Sequence, residues 1–159
     1  MPKEWITDRK EMESLLQEAP VGCLATVGPD GSPYITPLNF VYHQGKIYFH
    51  CAFEGRKMDN IRANPRVCFE VHEFIKIVQG QRACDFSTRY RSVLVFGRAR
   101  SLPDGDEKMA VLTALAEKYA GGQAVEPPTP KRAKGTEVIE ITIEEMTGKR
   151  NVDHTRFTG

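Results

Sequence analysis

The chain has 159 residues, of which 40% are hydrophobic and 27% charged, an ordinary globular mixture sized for one domain. Lys plus Arg number 22 and Asp plus Glu 21, a net charge of +1, which excludes a general pull toward nucleic acid or a membrane surface. No apolar run approaches the ~20 residues of a membrane span, and the first residues lack a signal-peptide layout, so a cytoplasmic location is expected. Cys23, Cys51, Cys68 and Cys84 form no CxxC pair, which argues against a zinc knuckle or a dithiol motif. Cys23 and Cys68 read as buried small hydrophobes.

Asp8 to Glu18 reads as a helix. Asp8 caps it, Glu11 completes a capping box, and Met12, Leu15 and Leu16 form its apolar stripe. Val21–Val27 is a strand, and Pro29-Asp30-Gly31 turns the chain. Tyr34–Tyr42 is a second strand, interrupted at Pro37, which cannot donate to a central ladder and so marks an edge, bulge or bend. Lys46–Cys51 is a third, so residues 21–51 are expected to form a three-stranded antiparallel meander. Gly55 precedes a short helix, Arg56–Ala63, ended by Asn64-Pro65. Val67–Val71 and Ser92–Arg100 are further strands, the latter with Val93, Val95 and Gly97 on one face. Between them Ile75–Val78 is compatible with strand and Gly80–Tyr90 reads as a loop.

Asp106–Tyr119 is a second full helix with Met109, Leu112, Leu115 and Ala116 on one face, ended by Gly121-Gly122. The proline-rich basic run 123–135 reads as a surface loop. Val138–Ile143 is a last strand, and the residues after Met146 read as a loose tail. Many short antiparallel strands with peripheral helices predict a mainly β (α+β) fold. It would be a single domain over 1–159, a closed barrel of six to eight strands carrying two or three outer helices, with a core of about 8–147 and a tail over 148–159.

The chemistry concentrates in His50-Cys51-Ala52-Phe53-Glu54-Gly55-Arg56-Lys57. A helix start offers free N–H groups and a positive dipole end. Arg56 adds a planar fork of donors and Lys57 a point charge. The group suits a phosphate monoester, which carries about −1.5 to −2 near neutral pH. A solvated Arg-Lys pair opening a surface helix stays open as the bland alternative. His50, closing a strand beside aromatic residues, reads either as a packed residue or as a proton donor. His43 and His72 read as structural or solvated, and His154 falls in the tail. Four scattered histidines make no metal site. Cys84 reads as an unremarkable loop thiol.

The chain resembles the FMN-binding split-barrel superfamily, which includes pyridoxamine 5′-phosphate oxidase, and within it the nitroimidazole-resistance (Nim-type) proteins. The matching pieces run in order. They are Gly22-Cys23-Leu24-Ala25-Thr26 with Asp30-Gly31-Ser32-Pro33-Tyr34, Thr36-Pro37-Leu38-Asn39-Phe40-Val41, Ile47-Tyr48-Phe49-His50, Gly55-Arg56-Lys57, Asn60-Ile61 through Asn64-Pro65-Arg66-Val67, Tyr90-Arg91-Ser92-Val93 through Gly97-Arg98-Ala99, and Val138-Ile139-Glu140-Ile141. The resemblance implies FMN as cofactor and a homodimer with flavin sites at the subunit interface. It implies that Arg56 and Lys57 hold the phosphate. Thr36, Pro37, Leu38, Asn39 and Phe40 would run along the flavin ring, and His50 and Cys51 would lie beside it. Tyr90, Ser92 and Val93 would approach from the second subunit. It further implies an oxidoreductase passing electrons to a small acceptor such as a nitroaromatic, with His50 as the catalytic residue. A flavin-binding or redox-sensing protein without turnover is the alternative. A haem-binding split barrel, with His50 or His43 as axial ligand, is a further one.

Overall fold

The computed structural model describes residues 3–153; His154 lies outside them. Eight strands form one antiparallel sheet: β1 (Glu4–Ile6), β2 (Gly22–Val27), β3 (Pro33–Leu38), β4 (Val41–His43), β5 (Lys46–Cys51), β6 (Arg66–Val78), β7 (Ser87–Ser101) and β8 (Glu137–Asn151). Four helices lie among them: α1 (Arg9–Glu18), α2 (Arg56–Ala63), α3 (Asp106–Tyr119) and the five-residue α4 (Pro130–Lys134). One 3-10 turn spans Ala83–Asp85. The short α4 exceeds the expected two or three helices and sits inside the run read as loop.

The hydrogen-bonded strand order is β3-β2-β6-β7-β8-β5-β4, with β1 on the far half of β8. Thus β3 and β4 lie at opposite ends of the path, although only Asn39 and Phe40 separate them in sequence. Three Cα steps cannot span more than about 11 Å. The sheet must therefore curl until its ends meet, closed by the chain and not by a ladder. This is a split barrel.

The same topology corrects the expected meander over 21–51. β2 pairs with β3 and β4 with β5, but the two hairpins do not pair with each other. β5 pairs instead with β8. The break in the second strand falls at Asn39–Phe40. Pro37 stays in register opposite Cys23 on an edge strand, where a missing N–H removes no ladder bond.

Leu16, Leu24, Phe40, Ile47, Phe49, Phe69, Val71, Val93, Val95, Ile139 and Ile141 are fully buried and fill the barrel with α1 and α2 against it. Each large aliphatic or aromatic side chain so buried contributes roughly 1.5–3 kcal/mol. Cys23 and Cys68 are half-buried, not fully so, because they sit on the outer face of the wall.

A second cluster, Val41, Tyr48, Leu102, Val111, Leu115 and Val138, seats α3 on the outside. The buried stripe of α3 is Lys108, Val111 and Leu115, and Lys108 faces Asp104 at 3.0 Å. Met109, Leu112 and Ala116, expected on that face, are only half-buried.

Both ends of the chain hold more structure than expected. β8 runs to Asn151, so residues 148–151 are strand and not tail. Arg150 crosses from β8 to Glu4 at 3.3 Å and to Glu11 at 2.8 Å. Glu11 is thereby committed to Arg150, and no capping box forms; Asp8 alone caps α1 through the Lys10 N–H.

Asp153 binds Arg89 of β7 at 2.7 Å and also Lys76 of β6. The hydrogen bonds from Arg89 and then Lys76 hold its carboxyl at about 2, below the usual carboxylate range. A depressed carboxylate adds stability above its unfolded pKa, and that stability is lost as pH falls through the folded value. Melting temperatures measured from pH 5 to 2 should therefore drop more steeply in the native chain than in Asp153→Asn. Parallel curves would show that the exposed carboxylate stabilises nothing.

Candidate functional site

Two neighbouring features form at the split. The first is the start of α2. Gly55 caps it at φ 133 without a side-chain cap bond, and a Cβ there would meet nothing within 4 Å. The first intrahelical bond is donated by Asp59 N–H to the Gly55 carbonyl at 3.0 Å. The preceding N–H groups are the unsatisfied donors of a helix start. Arg62 donates to the Phe53 carbonyl at 2.7 Å and fixes the approach loop.

The Arg56 guanidinium stacks 4.8 Å from the Tyr34 ring centre, and Lys57 Nζ lies 5.5 Å from that of Phe49. The two cations thus reach β3, at one lip of the split, and β5, the strand next to the other lip. Neither faces a carboxylate within ion-pair distance; Asp59 is taken by Arg62. Cations at a helix N-terminus oppose the dipole; the Asp30 carboxylate feels the Arg56 charge but makes no ion pair with it, so an anion seated here would relieve the conflict.

Thr36 gives independent support on the same strand as Tyr34. Tyr34, Thr36 and Leu38 alternate on one face of β3, and Leu38 packs on the core. The Thr36 hydroxyl is buried and has no hydrogen-bond partner. A buried polar group left unpaired costs about 1–3 kcal/mol, and a ligand with donors or acceptors along β3 would relieve it. An anion for Arg56 and Lys57, joined to a polar ring along β3, fits a flavin mononucleotide.

The second feature is a cleft of about 370 Å³ between β5, α3 and the segment before β8. Asn39 and His50 line it beside Leu112, Ala116, Tyr119 and Arg132. His50 is exposed and points outward, since Ile47, Phe49 and Cys51 face inward on the alternating strand. His50 and Cys51 therefore cannot flank one ligand from the same side. Cys51 Sγ lies 3.6 Å from Met58 Sδ, and burial pushes its thiol pKa up, which disfavours the thiolate.

The other expected residues divide. Pro37 is exposed on the opposite face of β3 from Thr36. The Phe40 side chain is in the core. Its N–H donates to Tyr119 Oη at 3.0 Å, and its carbonyl accepts from Lys118 Nζ at 2.9 Å. The Phe40 N–H and carbonyl are thus both engaged within the chain. Val93 is fully buried in the barrel and cannot reach a second subunit's flavin. Tyr90 and Ser92 are half-buried at the far end of β7; Ser92 Oγ donates to the Lys149 carbonyl at 3.5 Å. Tyr90 lies about 26 Å along β7 from Arg98, at ~3.3 Å per residue. Arg98 pairs with Arg66, just after α2. One chain does not bring Tyr90 to Arg56.

Sequence reading missed the end of α3. Lys118 donates to the carbonyls of Ala19 and Phe40 at 2.8 and 2.9 Å, and Tyr119 donates to Pro20 at 2.8 Å. This pair clamps the 39–40 link that carries Asn39 into the cleft. Burial pushes Lys118 down to about 8. A Lys-Tyr at the end of an apolar stripe was the only signal.

Known proteins match this architecture. A candidate 5-nitroimidazole antibiotic resistance protein from Bacteroides thetaiotaomicron is 26% identical, with 93% of this chain and 87% of that one covered at a TM-score of 0.80. A FAD-binding protein from Mesorhizobium loti is 27% identical, covering 96% of this chain and 100% of its own at 0.66. The FAD and heme binding protein from Mycobacterium smegmatis shares the fold at 0.84, with 22% identity over 94% of this chain and 74% of that one. The sequence profile of the pyridoxamine 5′-phosphate oxidase family matches residues 8–150. The chain belongs to the pyridoxamine 5′-phosphate oxidase family, in its split-barrel form.

Proposed function

We propose that this protein is an FMN-dependent oxidoreductase that reduces a small acceptor such as a nitroaromatic. The observation that carries this reading is the pairing of two carboxylate-free cations at the start of α2 with the orphaned Thr36 hydroxyl on β3. A monophosphate dianion matches Arg56, Lys57 and the free N–H groups together. When bound, the flavin supplies the electron chemistry. His50, open to the neighbouring cleft, donates a proton or hydrogen bond to the acceptor, and Asn39 holds it from the facing side. The apolar walls of Leu112 and Ala116 limit water around the acceptor.

The working unit in this reading is a homodimer. Ile35, Leu94 and Phe96 expose apolar side chains on the outer wall, and Phe74, Ile75, Ile77 and Phe86 do so on the β6–β7 arm. A two-stranded arm is marginal alone, and a second copy would cover it and deliver Tyr90 and Ser92. The fold has no helix long and apolar enough to cross a membrane among its described residues, and a cytoplasmic site of action fits that.

The first test is the visible spectrum of purified protein before and after incubation with FMN and removal of free flavin, run beside sedimentation. A retained flavin band at one per subunit of a dimer is the expected result. A Soret band would assign His50 to haem, and no retained chromophore would reduce Arg56-Lys57 to a surface pair. Flavin retained without oxidation of any reductant by nitro compounds would leave a binding or sensing protein.

A further inference from the structure

The cleft over His50 has a further wall, the segment between α3 and β8. After Gly121-Gly122 the chain runs through Pro127 and Pro128, forms α4 from Pro130, then enters β8. Thr129 caps α4 through the Arg132 N–H at 3.3 Å, and Ala133 is buried beneath. Thr136 Oγ1 and the Gly135 N–H donate back to the Arg132 carbonyl at 3.3 and 3.1 Å. The backbone of Arg132 is therefore fixed without help from its guanidinium. Prolines restrict the rest of the strap. The wall is built, not draped.

Arg132 is also unusual by its lack of a partner. Arg9, Arg62, Arg82, Arg89, Arg91, Arg98, Arg100 and Arg150 all face carboxylates. Among the described residues only Arg56, Arg66 and Arg132 do not. Arg56 stands where the phosphate is proposed, and Arg66 lies on the outer wall by Glu144 and Glu145. Arg132 lines the cleft that holds Asn39 and His50.

We propose that this cleft takes a small planar acceptor bearing a carboxylate, and that Arg132 reads the carboxylate. The inference rests on the cleft being the acceptor site of the proposed oxidoreductase. Leu112, Ala116 and the Tyr119 ring offer an apolar surface for a flat body. Asn39 and His50 take its reducible polar end, and Arg132 takes the acid through a two-pronged contact. About 370 Å³ accommodates a single substituted ring. Glu126 shares the rim and has no ion-pair partner among the described residues; its like charge weakens the acid's hold.

The test measures binding, not turnover. Dissociation constants for 4-nitrobenzoate and its neutral amide, 4-nitrobenzamide, are determined by calorimetry on the FMN-incubated protein. Arg132→Gln and Glu126→Gln are run in parallel, and the flavin spectrum is recorded on each sample. The acid should bind about tenfold tighter than the amide, as for a hydrogen bond to a charged group. Arg132→Gln should erase the preference and leave the amide unchanged, while Glu126→Gln should tighten the acid alone. Equal binding of the two probes, a preference that survives Arg132→Gln, or no binding of either overturns the proposal. Loss of the flavin band with the acid preference intact would instead overturn the flavin reading and keep the Arg132 assignment.

Discussion

Replacing Arg56 and Lys57 together by alanine should weaken FMN binding by about 3 kcal/mol or more, roughly a hundredfold in Kd, and leave riboflavin binding nearly unchanged. Each charge-assisted hydrogen bond to a phosphate oxygen is worth ~1.5–3 kcal/mol, and both side chains have at least one such bond to lose. Arg56 is exposed, so solvent screening places the sum at the lower end of that range. The difference between the two flavins isolates the phosphate, because they share the ring.

The same double variant should fold at least as well as the native apoprotein. Removing two positive charges from the start of α2 relieves an unfavourable dipole interaction of ~0.3–1 kcal/mol per charge. The lost stacking on Tyr34 and Phe49 offsets this by a similar amount. A fall in FMN affinity with no fall in melting temperature is thus the signature of a binding role. Equal losses for FMN and riboflavin would remove the phosphate assignment, whatever the melting temperature.

Local signals in the chain predicted local structure well. α2 and α3 begin and end where Gly55, Asn64-Pro65 and Gly121-Gly122 place them, since caps and breakers act over a few residues. The strand pairing was not legible. β5 meets β8 some ninety positions later, through partners such as Tyr48 and Glu140, and no short-range pattern encodes such a pairing.

The end of β8 reads as a tail because Lys149, Arg150 and Asn151 are polar. Its burial comes from ion pairs to Glu4 and Glu11 and from Asn151 bonding Ser87 and Thr88, contacts across more than 60 residues. The candidate site shows the same division. Arg56 and Lys57 stand out by their position at a helix start. Arg132 and the Lys118-Tyr119 clamp come from segments far from His50 in sequence, and only the wrapping of α3 and α4 onto β5 brings them there. Phe40 and Val93 illustrate the converse: residues within a recognisable motif are not thereby exposed, because strand alternation turns Val93 into the barrel and the closing link between β3 and β4 turns Phe40 there.

Gly97→Ala should be the most damaging small substitution in the barrel, costing about 3 kcal/mol and lowering the melting temperature by roughly 6–12 °C for a chain of this size. In sequence Gly97 is merely the third position on the face shared by Val93 and Val95. In the structure β7 shifts register against β8 between Phe96 and Gly97. A Cβ on Gly97 would press into the carbonyl oxygen of Thr142 and touch its carbon at 3.0 Å. Both are backbone atoms, held by one of the two longest ladders in the sheet, and neither can move without breaking pairs on both sides. Gly31→Ala is the control. Gly31 has φ 83 and open space around it, so it should cost only the ~1 kcal/mol or so of a left-handed conformation. Thermal melts of the two variants should rank Gly97→Ala well below Gly31→Ala. The reverse order would mean that β7 and β8 can separate at the bulge, and that the barrel wall beneath Phe96 is looser than its ladder implies.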